Sequence, residues 1–330
     1  LRNSSQLLKQ GKSPRVLVAT STGSYWIASG FESALAAALQ LRGAHVDVLL
    51  CDGVLPACHE CDVRVIDPDT LLARGPKSLC RTCFAPADKM FTEMGLLVHR
   101  YGSYIKNDEK QAIEEQVRLM SNLEIAGFVW RDIPVGEHAL AGALRYYGLG
   151  DLSVESKGYL LARQYLQAAM MTVVILERLL EQGKYETLVF HHGIYVPQGV
   201  IGDVCRKHSV RVVNWNNASR NQTYLFSHDD TYHRTMIDEP PQQWQNGEWN
   251  EAKERALVEY LEARRTGQKD WITYQRVDRP ARDVLRDYGV NGDRPVIGVL
   301  TNVVWDAQIH FRQNAFPSML DWLFFTIEHF

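Results

Sequence analysis

The sequence predicts an α/β fold built on a parallel sheet, and two stretches carry that prediction. Residues 187–217 read TLVFHHGIYVPQGVIGDVCRKHSVRVVNWNN, with an apolar run at 188–190, a polar His191-His192-Gly193 turn, a helical segment at 197–207 and a second apolar run at 210–215. Strand, turn, helix and strand within about 30 residues is the size of a parallel βαβ unit. The chain opens the same way: RVLVA at 15–19, a small polar turn TSTGS at 20–24, an Ala/Leu-rich helix at 31–41 closed by Gly43, and VDVLLC at 46–51. In open α/β sheets, ligands sit outside the carboxyl ends of strands. The loops after 190 and 215 are two such ends, and they offer His191, His192, Gly193, Asn214, Asn216 and Asn217. The turn at 20–24 is a third. There the backbone N–H groups of Thr22, Gly23 and Ser24 would approach a phosphate or a sugar. The plain alternative is a tight turn, because TSTGS is not GxGxxG and lacks a Walker lysine.

Length and composition set the frame. The chain has 330 residues, a soft expectation of about two domains. With 45% hydrophobic and 23% charged residues it can bury a sizeable core. A formal charge of −3, with both signs interspersed, argues against a basic nucleic-acid-binding surface. No apolar run in the sequence approaches the ~20 residues of a membrane span, and the polar start LRNSSQLLKQGKSPR does not read as a signal peptide.

The strongest local pattern is a pair of CxxC motifs, Cys58-His59-Glu60-Cys61 and Cys80-Arg81-Thr82-Cys83, eighteen residues apart. Two such pairs can close a tetrahedron of thiolates around Zn²⁺. Cys51 and His59 are substitute ligands. An iron–sulfur cluster also takes four cysteines, and four buried free thiols are the alternative without metal. A closed four-thiolate site is structural, since catalytic zinc keeps an open position. A structural zinc on Cys58, Cys61, Cys80 and Cys83 is therefore expected to shape an insertion at about 52–90.

Residues 107–127 read as a helix capped by Asn107 or Asp108, 137–147 as a second, and 154–180 as a long third that packs on the sheet. Glu137 opens its helix, where a carboxylate suits the dipole. After a short apolar strand, SHDDTYH at 227–233 offers His228, Asp229 and Asp230, residue types that general acid–base catalysis uses. Residues 251–265 form an amphipathic helix with Ala252, Ala256, Leu257, Tyr260 and Leu261 inward. A boundary falls at 278–293, before a strand PVIGVL at 295–300 and an apolar helix from 315. The division is thus a leader at 1–14, a first domain at 15–290, and at 291–330 the start of a second domain that stops short.

Several segments together, FHHGIYVPQG (190–199), VVNWNNA (212–218), SHDDTYHR (227–234), YLEARRTGQKDWITY (260–274) and GVLTNVVWDA (298–307), resemble glycosyltransferases of the two-domain GT-B type, in particular bacterial capsular and surface polysaccharide biosynthesis families. The resemblance implies two Rossmann-like domains facing across a cleft. The first would bind a glycan acceptor and the second a nucleotide-sugar donor, without a catalytic metal. It implies a base for the acceptor hydroxyl. His192 is the first candidate, with Asp229, Asp230, His228 and Glu137 in reserve. Thr301 and Asn302 would contact the donor phosphate. A cytoplasmic enzyme follows, with peripheral contact at the inner face of the membrane. The alternatives are a non-hydrolysing sugar-nucleotide epimerase of the same architecture and a zinc-stabilised binding module without catalysis.

Overall fold

Apolar stretches whose two faces are both covered have no need to alternate with polar residues, and RVLVA is one of them. In the computed structural model, which describes residues 13–238, 240–245, 247–266, 279–290, 295–301, 303–305 and 315–330, this stretch lies in strand β1 (Arg15–Ser21). Leu17 and Ala19 point to one face, Val16 and Val18 to the other, and all four are buried. With β2 (His45–Leu50), β3 (Leu97–Arg100), β4 (Thr187–His191), β5 (Arg211–Asn217) and β6 (Tyr224–His228), β1 forms one sheet in the order β3-β2-β1-β4-β5-β6. The first five strands are parallel, and β6 runs antiparallel beside β5. This is the Rossmann-like α/β arrangement. Strand β3 carries no sequence signal: LVHR is four residues long and half polar.

Helices cover both faces. On the Val16/Val18 face lie α1 (Trp26–Leu41) and, beyond the short α2 (Pro68–Arg74), α3 (Lys77–Glu93). Ala28, Ala36, Ala87 and Phe91 from α1 and α3 pack there with Val46, Val48, Val189 and Trp215. On the opposite face, α4 (Asn107–Arg118), the single turn α5 (Asn122–Ile125), α6 (Val135–Tyr147), α7 (Gly158–Gly183) and α8 (Gln198–Lys207) build the larger cluster. Residues such as Leu161, Tyr165, Leu166, Ile175 and Leu176 place almost the whole circumference of α7 in that core. Each fully buried large aliphatic or aromatic side chain contributes roughly 1.5–3 kcal/mol. By length and apolar content α7 could cross a membrane, but 78% of its most apolar window is buried inside the fold, as in a core helix.

Several boundaries differ from the sequence reading. Helix α1 starts at Trp26, so it begins directly after the TSTGS turn. The helix expected over 107–127 breaks after Arg118. Lys106, rather than Asn107 or Asp108, is its N-cap residue, and the Lys106 N–H donates to Glu109 at 2.8 Å. Glu109 in turn pairs with Arg178 of α7 at 2.6 Å. The cysteine-bearing stretch lies between β2 and β3 and carries α2 and α3.

Beyond β6 come α9 (Tyr232–Asp238), α10 (Gln242–Gln245), α11 (Glu251–Thr266), α12 (Ala281–Asp287) and α13 (Met319–His329). The inward stripe expected on α11 is not buried: Leu257 and Leu261 are exposed. No strand forms over 295–301, where Val296, Ile297 and Leu300 face solvent with no partner strand among the described residues. Residues 1–12 of the expected leader, residues 267–274 of the quoted segments, and Asn302, Asp306 and Ala307 lie outside the described residues.

Gly199, in the first turn of α8, sets how closely that helix meets α6. A Cβ there would lie 2.3 Å from His138 Nδ1 and 2.4 Å from the Ile194 carbonyl. Gly199→Ala is expected to lower stability by about 1–3 kcal/mol, measured as a lower urea midpoint with an unchanged m-value.

Candidate functional site at the β1–β4 strand ends

Strand order reverses between β1 and β4, and this is where an open α/β sheet leaves a crevice. The loop after β1 lines it. Thr22 and Gly23 are buried, while Ser24 and Tyr25 are half-buried. The Gly23 N–H donates to Cys83 Sγ of α3 at 3.2 Å. A Cβ on Gly23 would fall 2.4 Å from both Ala87 Cβ and the Cys83 carbonyl oxygen, so glycine is what lets the loop lie on α3. The next residue, Ser24, is thereby delivered to the mouth of the crevice, immediately before α1.

Ser24 Oγ donates to Glu60 Oε2 at 2.6 Å. The other carboxylate oxygen, Oε1, lies 2.9 Å from His59 Nε2. Backbone contacts fix this pair. The His59 N–H donates to the Val196 carbonyl at 2.9 Å, and Arg145 of α6 donates to the carbonyls of His59 and Cys61. Burial would push the Glu60 carboxyl up, but the charge and hydrogen bond of His59, the Ser24 hydroxyl and the charge of Arg145 hold it at about 2. Glu60 is therefore an ionised acceptor across the physiological range.

A wall of aromatic and imidazole rings faces this group. Tyr25 packs on His191 with ring centres 5.1 Å apart, and His191 Nε2 lies 3.0 Å from Asn216 Oδ1. His192 adopts a left-handed backbone, φ 68°, and its N–H donates to the Trp215 carbonyl at 3.0 Å. Its ring lies 5.2 Å from Tyr195 and 5.3 Å from His233. Burial pulls His191 down to about 4, assisted by nearby His59. Enclosure, and the neighbours His191, His233, His59 and Arg145, pull His192 well below its ordinary value. Both rings are neutral at pH 7, and His192 is a weaker base than the near-neutral histidine expected from sequence.

The other sequence candidates divide. Thr22, Gly23, Ser24, His191, His192, Gly193, Asn216 and Asn217 gather at the strand ends. Gly193, φ 87°, leaves room for the Asn214 amide, which a Cβ would approach to 2.8 Å. Glu137 and Asp230 line a narrow cavity on the far side of Gly193 with His138, Asp203, Arg206 and Arg234. Asp230 is held there by Arg206 at 3.7 Å and Arg234 at 3.5 Å. His228 and Asp229 sit exposed at the sheet edge, with His228 Nδ1 3.2 Å from Arg211. Thr301 is exposed and Asn302 lies outside the described residues. Cys58 and Cys61 close a turn in which the Cys61 N–H donates to the Cys58 carbonyl at 3.0 Å. Cys80 and Cys83 form no knuckle; they stand one turn apart on α3. Among the described residues, no three His, Cys, Asp or Glu side chains are arranged to hold a metal ion.

Two acidic residues of the site escape the sequence reading. Glu60 is hidden as a spacer inside a CxxC motif. Glu32 sits mid-helix in α1 and is fully buried, accepting from Trp215 Nε1 at 2.9 Å. Its apolar position beside an aromatic strand residue leaves no local motif.

No protein-family profile matches the sequence, and no curated protein matches it. Solved structures similar to this one are cyclodipeptide synthases. That from Bacillus thermoamylovorans is 15% identical with a TM-score of 0.35, over 63% of this chain and 86% of its own. That from Fluoribacter dumoffii is 12% identical with a TM-score of 0.38, over 68% and 94%. AlbC, from Streptomyces noursei, is 11% identical with a TM-score of 0.29, over 58% and 87%. At this distance the likeness brings no activity to this chain. These are synthases and not sugar transferases, and on that finding the glycosyltransferase reading is withdrawn. With it go the polysaccharide and capsule associations, the partner assignment of nucleotide-sugar donor and glycan acceptor with nucleic acid excluded, and both alternatives, epimerase and binding module. The question of activity is thereby reopened.

Burial raises the Glu32 carboxyl from 4.5 to about 7, against the opposing hydrogen bonds of Thr20, Trp215 and the His191 backbone. The native state therefore keeps a proton that the unfolded chain has lost above about pH 4.5, and stability falls as pH rises from there to about 7. Glu32→Gln, which can still accept from Trp215, is expected to remove that slope. It should gain up to about 3 kcal/mol at pH 8 and nothing at pH 4, read from urea unfolding at the two pH values.

Proposed function

We propose that this chain is a serine-dependent acyl-transfer enzyme in which Ser24 accepts the acyl group. The observation that carries this reading is the 2.6 Å hydrogen bond from Ser24 Oγ to Glu60, a buried carboxylate backed by His59, at the strand-end crevice. A hydroxyl is a weak nucleophile until a neighbour orients it and takes its proton. Glu60 fixes the Oγ–H along one line and leaves an oxygen lone pair directed away from the carboxylate. The Oγ attacks the donor carbonyl carbon while its proton moves onto Glu60 and from there to the leaving group. Because Glu60 is held at about 2, it is a weak base and holds the proton only in passing. The site therefore suits donors with good leaving groups, such as activated esters and thioesters, over amides.

The same loop supplies a partner for the oxyanion. Helix α1 opens at Trp26 with no side-chain cap on its first amides. First-turn amides have no partner within the helix and carry the positive end of its dipole. Donors aimed where charge develops stabilise the tetrahedral state. Trp26 and Ile27, 61% and 45% exposed, flank Ser24 and offer apolar surface to an acyl group. The neutral His191 and His192 line the crevice without drawing a charge of their own. Transfer from Ser24 to an amine or alcohol in the crevice would then release the product. Cyclodipeptide synthesis, the activity named for the similar structures, joins two aminoacyl groups and is one reaction of this class. Activated aminoacyl esters therefore belong in the first panel of donors, beside simple acyl thioesters.

The test is turnover of that panel. Ser24→Ala is expected to reduce acyl release to the uncatalysed rate, and Ser24→Cys to keep part of it with thioester donors. Glu60→Gln should lower kcat by about 10²–10⁴-fold with KM little changed. Undiminished turnover by Ser24→Ala would sink the assignment.

A further inference from the structure

His138 stands on α6 behind the crevice, only 4% exposed, and takes no part in the chemistry proposed for Ser24. Its ring is gripped at both ends. Nδ1 lies 2.6 Å from the Ile194 carbonyl oxygen, and Nε2 lies 2.6 Å from Asp203 Oδ2 of α8. A carbonyl oxygen and an ionised carboxylate can only accept, and an imidazole that donates from both nitrogens is a cation. The surrounding charges call for one. Glu137 of the same helix, Asp203 and Arg206 of α8, and Asp230 and Arg234 after β6 line the cavity that the ring shares. Three carboxylates face two guanidiniums there, and a positive charge on His138 completes the balance. Burial would push the Asp203 carboxyl up, but the hydrogen bond and charge of His138 and the charge of Arg206 hold it well below the usual carboxylate range.

We infer that His138 is an imidazolium that positions the turn at 194–197, and through it Glu60, opposite Ser24. The turn is the link. Ile194 is held by His138, and two residues on the Val196 carbonyl accepts the His59 N–H at 2.9 Å. Glu60 follows His59 in the chain, pairs with its ring and accepts from Ser24. Charge-assisted hydrogen bonds are roughly twice as strong as neutral ones, so a charged ring ties α6, α8 and the turn into one unit. On losing a proton the ring keeps its N–H toward Asp203, the charged and therefore stronger acceptor. Nδ1 then turns a lone pair on the Ile194 oxygen, and two acceptors at that distance repel. The turn moves, and the His59 amide moves with it. The charge on the ring and its hold on the turn are independent of Ser24. The last link, to Glu60 as a catalytic group, rests on the acyl-transfer reading.

The experiment is NMR of the chain carrying ¹⁵N-labelled histidine, followed as pH is raised from 6 to 10. At pH 7 the His138 ring, identified by its absence from His138→Gln, is expected to carry protons on both nitrogens. When it loses one at higher pH, the backbone amide signal of His59 is expected to shift over the same interval. In Asp203→Asn, which removes the negative charge beside the ring, both changes should move to lower pH together. Should either variant fail to fold, the unmodified chain still reports whether a doubly protonated ring is present and whether the His59 amide follows its titration. A single protonated nitrogen on His138 at pH 7 overturns the inference, and so does a His59 amide indifferent to the ring. In the acyl-transfer assay kcat is expected to fall over the same pH interval by about 10²-fold, with KM little changed. Ser24→Ala leaves the His138 ring signals as they are, so failure of the acyl-transfer reading is told apart from failure of this one.

Discussion

The reversal of strand order between β1 and β4 is the constraint on which the rest depends. The connections leaving β1 and β4 lead to α1 and α8 on opposite faces of the sheet, which leaves a crevice between the two strand ends. The strand ends place most groups of the site. The loop after β1 brings Ser24, the end of β4 and the residue after it bring His191 and His192, and the end of β5 brings Asn216. The buried faces on either side of the sheet keep these ends in register.

What turns the gap into a site is a carboxylate from outside the sheet. Glu60 comes from the connection between β2 and β3 and stays ionised although largely enclosed, because Ser24, His59 and Arg145 all favour its charge. In the proposed chemistry the same group orients a nucleophile and keeps too little basicity to hold a proton, which favours activated donors. Glu32, on α1, shows the opposite balance. Hydrogen bonds from Thr20, Trp215 and the His191 backbone do not offset its complete burial, and its carboxyl rises to about 7. Two glutamates are set apart by the charges of His59 and Arg145, which act on Glu60.

Much of the fold was legible. The runs at 15–19 and 187–217 gave β1, β4, α8 and β5 because strands buried on both faces leave continuous apolar stretches. Strand β3 was not legible, since an edge strand of four residues with His99 and Arg100 has no such signature. The run at 295–300 shows the converse: an apolar stretch that reads as a strand finds no partner strand among the described residues. At the site, the strand-end residues were readable from topology. Glu60 was not, because its role depends on a turn folding back against Ser24 36 residues earlier, a contact with no local pattern. The resemblance to sugar transferases rested on strand-end and helix-start segments, features of the architecture that many chemistries share. The segment with two carboxylates and two histidines at 228–233 was divided by β6 itself, which turns His228 to solvent and sends Asp230 to Arg206 and Arg234.

The most direct test of the central claim is peptide mass spectrometry of the chain quenched during turnover of an activated acyl ester. The account predicts the mass of the acyl group on the peptide that contains Ser24, absent from Ser24→Ala and lost on adding a nucleophilic amine. An acyl group found instead on a cysteine or a histidine, or no covalent adduct while product accumulates, would contradict it.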